Sequence, residues 1–230
     1  MMASMLEQLL SLAAAGTMMI SSALNTAAPH NDVNGLLFLQ NRQWRSSSAY
    51  VPEVRQAQVK GKVREMRHDA AAALEEMFAD CIKETGKSLY TVSGYRSYQT
   101  QASIYSRKLS NVNGSHKRAD EYVARAGASE HQLGLAMDIG WEDYQGTSNK
   151  FPRTKAGKWC TENCWKYGFI LRYQEGWDEI TGYKAEEWHF RYVGKENAKL
   201  IHEANMPLET YLILLRQEVL MEIVAGDERE

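Results

Sequence analysis

Two histidine-bearing segments constrain this chain more than anything else in it: Ser129-Glu130-His131-Gln132-Leu133-Gly134-Leu135-Ala136-Met137-Asp138 and, about fifty residues later, Glu186-Glu187-Trp188-His189. Two imidazoles and a carboxylate suit zinc, which takes nitrogen and oxygen ligands and in catalytic sites keeps a fourth position open for water. If His131, Asp138 and His189 share one ion, the fold must bring together side chains that are distant in sequence. A zinc hydrolase also needs a base for the water's proton and an anchor for the substrate. Glu186 or Glu187 can be the base. Arg96 can be the anchor, because its planar fork matches a carboxylate through two parallel hydrogen bonds. Periodicity leaves the choice of glutamate open: in a strand regular through His189, Glu187 shares its face, whereas a turn before Trp188 frees Glu186 to approach. His30, His68, His116 and His202 lack such company and receive no site role.

With 230 residues, 44% of them apolar, the chain can bury one sizeable core. Twenty-seven basic against 29 acidic side chains leave a formal charge of -2, so no global field points to nucleic acid or an anionic membrane. Cys81, Cys160 and Cys164 cannot all pair within one molecule and form no CxxC motif; they read as unpaired thiols. Residues 1–34 hold apolar runs, Leu9 to Ala15 and Met18 to Ile20, but the first 41 residues contain no Lys or Arg. Neither the positive start of a secretory signal nor the roughly 20 apolar residues of a spanning helix is met. Residues 1–34 are expected to be a peripheral leader and 35–230 the folded domain.

Helical spacing of Leu74, Met77, Phe78, Cys81 and Ile82 predicts a helix over Arg67 to Thr85, with Gly86 as a left-handed stop. Leu36 to Leu39 is expected to be a short buried strand, and Ser88 to Val92 another, with Gly94 permitting a sharp turn that leaves Arg96 at the sheet end. Tyr98 to Leu109, with Tyr98, Ala102, Tyr105 and Leu109 on one side, and His116 to Ala126 read as helices. Leu135 to Ile139 reads as a strand ending at Gly140. Thr154 to Tyr167 is an expected helix, Phe169 to Tyr173 and Glu187 to Val193 are expected strands, and Lys195 to Ala204 and Leu208 to Val224 are expected helices. The sum is an α+β fold: a small antiparallel sheet carrying the site, flanked by helices.

The segments Ser93-Gly94-Tyr95-Arg96-Ser97, Ser129-x-His131-x-x-Gly134-x-Ala136-x-Asp138 and Glu186-x-Trp188-His189-Phe190-Arg191-Tyr192-Val193-Gly194 resemble the VanY-type zinc D-alanyl-D-alanine carboxypeptidases, over about Met66 to Gly194. That family shares the hedgehog/DD-peptidase fold. The resemblance implies a Zn2+ enzyme of the cell envelope that removes terminal D-alanine from peptidoglycan stem peptides or precursors. Carried over, His131, Asp138 and His189 are the zinc ligands, Glu186 the general base, and Arg96 the residue facing the substrate carboxylate; Ser129 and Gln101 match substrate-contacting positions. The family often has proline where this chain has Glu187, which reads as a solvent-facing strand residue. Two other readings use the same fold: an endolysin-like L-alanyl-D-glutamate peptidase, and a zinc-containing binding module without catalysis. The loops Ser110 to Ser115 and Glu142 to Lys155 would set substrate length.

Overall fold

The site is carried by a four-stranded antiparallel sheet, and its strand order already explains why residues from two distant segments meet. In the computed structural model, which describes residues 32–227, β1 (Arg55–Gln56) and β2 (Glu65–Met66) form a small antiparallel pair ahead of α1 (His68–Thr85). Then follow β3 (Leu89–Ser93), α2 (Tyr98–Asn111), α3 (His116–Asp120), β4 (Ala136–Trp141) and α4 (Lys155–Asn163). The chain continues through β5 (Phe169–Tyr173), α5 (Asp178–Thr181), β6 (Glu186–Tyr192), α6 (Lys195–Ala204) and α7 (Leu208–Asp227). The sheet order is β3-β4-β6-β5, so β4 and β6 are central neighbours although they lie far apart in the chain. The fold class is α+β, as the sequence predicted.

The described residues divide into two compact units. Leu39–Glu209 is one and holds the sheet; the other takes the described residues before Leu39 and from Thr210 on. The leader expected over residues 1–34 falls almost wholly outside the described residues.

Within the larger unit, α1 owes its placement to its apolar stripe: Ala70, Ala71, Ala73, Leu74, Met77, Phe78 and Cys81 are all buried. Each large apolar side chain taken out of water contributes roughly 1.5–3 kcal/mol. Gly86 stops the helix at φ 70°, its N–H donating to the Ile82 carbonyl, a conformation that glycine adopts without strain. Ile82 is exposed rather than part of the stripe. All three cysteines are free and buried, so they serve as small apolar groups.

Several expectations are corrected. Leu36 to Leu39 is not a strand: Leu37, Phe38 and Leu39 are buried, but their backbone joins no ladder. The second predicted helix after β3 stops at Asp120 instead of Ala126. The Asp120 carbonyl accepts from the Arg42 guanidinium and the Glu121 carbonyl from the Lys184 amide, tertiary partners that take the place of further helical turns. On α2 the buried residue is Gln101, with Ile104 and Tyr105 half-buried, while Ala102 faces solvent. β4 runs through Gly140 to Trp141, so Asp138 sits inside the strand. The helix predicted over Thr154 to Tyr167 becomes α4 followed by a 3-10 turn over Cys164–Tyr167, closed by Gly168 at φ 85°. No helix among the described residues is long and apolar enough to cross a membrane.

Candidate metal centre

Asp138 on β4 and His189 on β6 are direct partners in the antiparallel register, so the pairing of the two central strands alone brings them together. His131 arrives from a 3-10 turn over Glu130–Leu133, closed by Gly134 at φ 68°. Its carbonyl accepts from the Gly134 amide at 3.2 Å and from the Arg96 amide at 3.1 Å, which ties this turn to the segment leaving β3. Gly94 is required here by close approach and not by a turn. A Cβ at 94 would sit 2.4 Å from the Glu65 carbonyl oxygen, and the next residue, Tyr95, donates its amide to that oxygen at 2.7 Å.

One donor atom from each of His131, Asp138 and His189 lies within 4.8 Å of the others; it is the one such group of three among the described residues, and all three are buried. The imidazole rings meet edge to face, with centroids 4.9 Å apart. His131 Nδ1 is 2.8 Å from the Gly94 carbonyl oxygen, which can only accept, so Nδ1 carries the proton and Nε2 keeps its lone pair. That Nε2 is buried, makes no hydrogen bond, and lies 3.3 Å from Asp138 Oδ1. His189 Nδ1 is 3.1 Å from the same oxygen. Two nitrogens and a carboxylate oxygen, one nitrogen an orphaned buried acceptor, fit a zinc ion in donor type and in need.

The charge states of these groups are set by one another. Burial works against ionising Asp138, yet the His131 and His189 rings hold its carboxyl far below the usual range. Burial also disfavours a charged His189, but hydrogen bonds to Asp138 and Glu130 and the fields of Asp138 and Glu186 outweigh it and raise its pKa to about 9. His131 moves the other way, to about 4, through burial and the nearby Arg96 charge.

Which glutamate faces the cluster follows from a pairing irregularity. Leu171 pairs with Phe190 but Tyr173 pairs with Glu186, so β6 carries extra residues between these points relative to β5. A bulge of this kind breaks the period-2 alternation. Glu186 thereby turns toward His189, its Oε2 3.7 Å from Nδ1, with its side chain about a quarter exposed. Burial raises its carboxyl pKa to about 7; the His189 charge opposes that rise and Asp138 adds to it. Glu187 lines a neighbouring groove instead.

These groups face a cavity of about 230 Å³ that Arg96, Gln101, Ser129, Tyr173, Tyr183 and Trp188 also line. Arg96 Nε is buried without a hydrogen-bond partner, and so is Gln101 Oε1, while Gln101 Nε2 donates to the Ala124 carbonyl at 2.6 Å. Every residue singled out from sequence except Glu187 therefore reaches this one cavity. Sequence reasoning missed Glu130, Tyr173, Tyr183 and Trp188 on its wall, and Arg172 and Arg191, which donate to Glu130. The available signal was charge in the wrong place: Arg172 lies among the apolar residues of β5 and Arg191 between Phe190 and Tyr192 on β6, and both are buried.

Known proteins resemble the chain at the level of sequence and structure. The family model for VanY, D-alanyl-D-alanine carboxypeptidase, matches residues 63–195. The putative carboxypeptidase YodJ of Bacillus subtilis (strain 168) is 42% identical over 184 residues, covering 76% of this chain and 66% of that protein. The chain spans about half to two thirds of the length of the first curated relatives it matches. Among solved structures, the LdcB LD-carboxypeptidase superposes with a TM-score of 0.73 at 41% identity, over 79% of this chain and 86% of that one. A variant of the vancomycin-resistance D,D-pentapeptidase VanY in complex with Zn(II) gives a TM-score of 0.64 at 34% identity, over 76% and 98%.

Proposed function

This chain belongs to the VanY family of D-alanyl-D-alanine carboxypeptidases, and from that premise we propose that it is a zinc-dependent carboxypeptidase removing the terminal D-alanine from peptidoglycan stem peptides or their precursors. The observation that carries the reading is the convergence of His131, Asp138 and His189 on one point, with Glu186 and Arg96 facing the same cavity. Zinc, held by those three side chains, supplies Lewis acidity that polarises a carbonyl and makes water a usable nucleophile near neutral pH.

The chain's own groups do the rest. Glu186 accepts a proton from the attacking water and delivers it to the departing amino group; a carboxyl tuned toward neutrality is suited to both transfers. Arg96 meets the free C-terminal carboxylate of the substrate, which supplies the anion that its buried Nε lacks. Gln101 Oε1 accepts from a substrate N–H, and Ser129 lines the wall beside it. The working place of such an enzyme is the cell envelope. The endolysin-like reading and the non-catalytic reading receive no support from these features.

The likeness to the LdcB LD-carboxypeptidase favours one second reading, in which the same site releases D-alanine from behind an L-centre instead of a D-centre. Mass spectrometry of muramyl pentapeptide and muramyl tetrapeptide after incubation, with and without chelator, separates the two. Chelator-sensitive loss of one alanine from the pentapeptide is the expected result. Loss from the tetrapeptide alone establishes the second reading, and no loss from either overturns both.

A further inference from the structure

Glu130 is the most enclosed acid in the molecule's charge network, and the proposed reaction does not use it. Its Oε1 accepts from Arg172 Nε and from Arg191 Nη1, each at 2.9 Å. Arg172, from β5, then turns its remaining two nitrogens on Glu209 in the first turn of α7, at 2.9 and 2.6 Å. Two carboxylates thus balance two guanidiniums, which keeps Glu130 ionised and able only to accept. Its other oxygen, Oε2, lies 3.3 Å from His189 Nε2.

Both ring nitrogens of His189 therefore face carboxylates, Nε2 that of Glu130 and Nδ1 that of Asp138 at 3.1 Å. A cation held by Asp138 would displace the proton on Nδ1, whereas the proton on Nε2 stays with Glu130. At His131 a backbone carbonyl does the equivalent work on the opposite nitrogen: Gly94 takes the Nδ1 proton and leaves Nε2 free. The two imidazoles would therefore offer a cation opposite ring nitrogens, each fixed by a different partner.

We propose that Glu130 is a positioning residue for the metal centre: it selects Nδ1 of His189 as the ligand atom, and Arg172 with Glu209 holds its carboxylate in place. The proposal rests on the zinc reading above. It makes the first turn of α7 a distant support of the site, and not merely part of a buried ion cluster. Carboxylates that orient metal-bound imidazoles in this manner typically affect metal affinity about 10- to 100-fold.

The test uses the full chain labelled with 15N-histidine and loaded with zinc. Long-range 1H–15N spectra are expected to show His189 protonated at Nε2 and bare at Nδ1, with the reverse pattern at His131. A proton on His189 Nδ1 with Nε2 bare overturns the proposal without any variant. Zinc affinity, by competition with a chromogenic chelator, is expected to fall about 10- to 100-fold in Glu130→Gln, to recover in part in Glu130→Asp, and to fall less in Glu209→Gln. Should Glu130→Gln fail to fold, the wild-type spectra and Glu209→Gln decide. Variants that fold and bind zinc like the wild type overturn the proposal while leaving the zinc reading intact. A wild-type protein that takes up no zinc overturns both.

Discussion

Two groups of buried charge sit back to back in this molecule and differ in one respect. In the cluster of Glu130, Arg172, Arg191 and Glu209 each carboxylate has a guanidinium within 3 Å. On the cavity side, His131 Nε2, Arg96 Nε and Gln101 Oε1 are equally withdrawn from water and have no partner. Buried polar atoms that stay unpaired are destabilising by roughly 1–3 kcal/mol each, so a fold tolerates several in one place only where something else repays them. Burial alone does not mark a site of chemistry; several unmet hydrogen-bonding atoms facing one cavity do.

That contrast can be broken from either side. The largest effect is expected on removing a donor from the open side: His131→Ala should lose both stoichiometric zinc and measurable D-alanine release, as metal analysis and a peptide assay would record. Glu186→Gln should keep its zinc and lose turnover by about 10²- to 10⁴-fold. Full activity in that variant would remove Glu186 from the role of base. On the closed side, Arg172→Met leaves two carboxylates without their shared counter-ion, and urea unfolding should show a loss of about 3–5 kcal/mol.

The smallest effect has the opposite sign. Because the Glu186 carboxyl is raised to about 7 in the folded protein, its contribution favours the fold at pH values below the ordinary carboxyl range and is lost as pH rises through 7. Metal-free Glu186→Gln lacks this dependence and should be more stable than the metal-free wild type at pH 8, by about 1–3 kcal/mol, with the gap closing by pH 5. Equal stability at both pH values would show that the carboxyl is not held in a costly environment.

Much of this was legible beforehand, for reasons that differ from residue to residue. The spacing of Leu74, Met77, Phe78 and Cys81 predicted α1 because helix periodicity and burial agree there, though not at Ile82, and Lys195–Ala204 was bounded correctly. The three side chains of the candidate metal site were singled out by their donor chemistry, and the fold brings them together. The choice between Glu186 and Glu187 was not available from periodicity, since it depends on how β6 pairs with β5. Nor was the early end of α3, where the carbonyls of Asp120 and Glu121 find partners at Arg42 and Lys184, far away in the chain. The supporting role of Glu130 was hidden for the same reason: its partners come from β5 and β6, and its link to α7 runs through Arg172.

The irregular pairing near Glu186 also makes the spacing between two side chains into a gauge. Three positions separate Glu186 from His189, an odd interval that a perfectly pleated ribbon would send to opposite faces. Excising a single residue from that interval would cut the surplus on β6 against β5 from two residues to one and shift the carboxylate relative to the imidazole. The approach of these two side chains is set by the surplus residues and not by strand periodicity, so tolerance to point substitution along this stretch should coexist with intolerance to any change in its length.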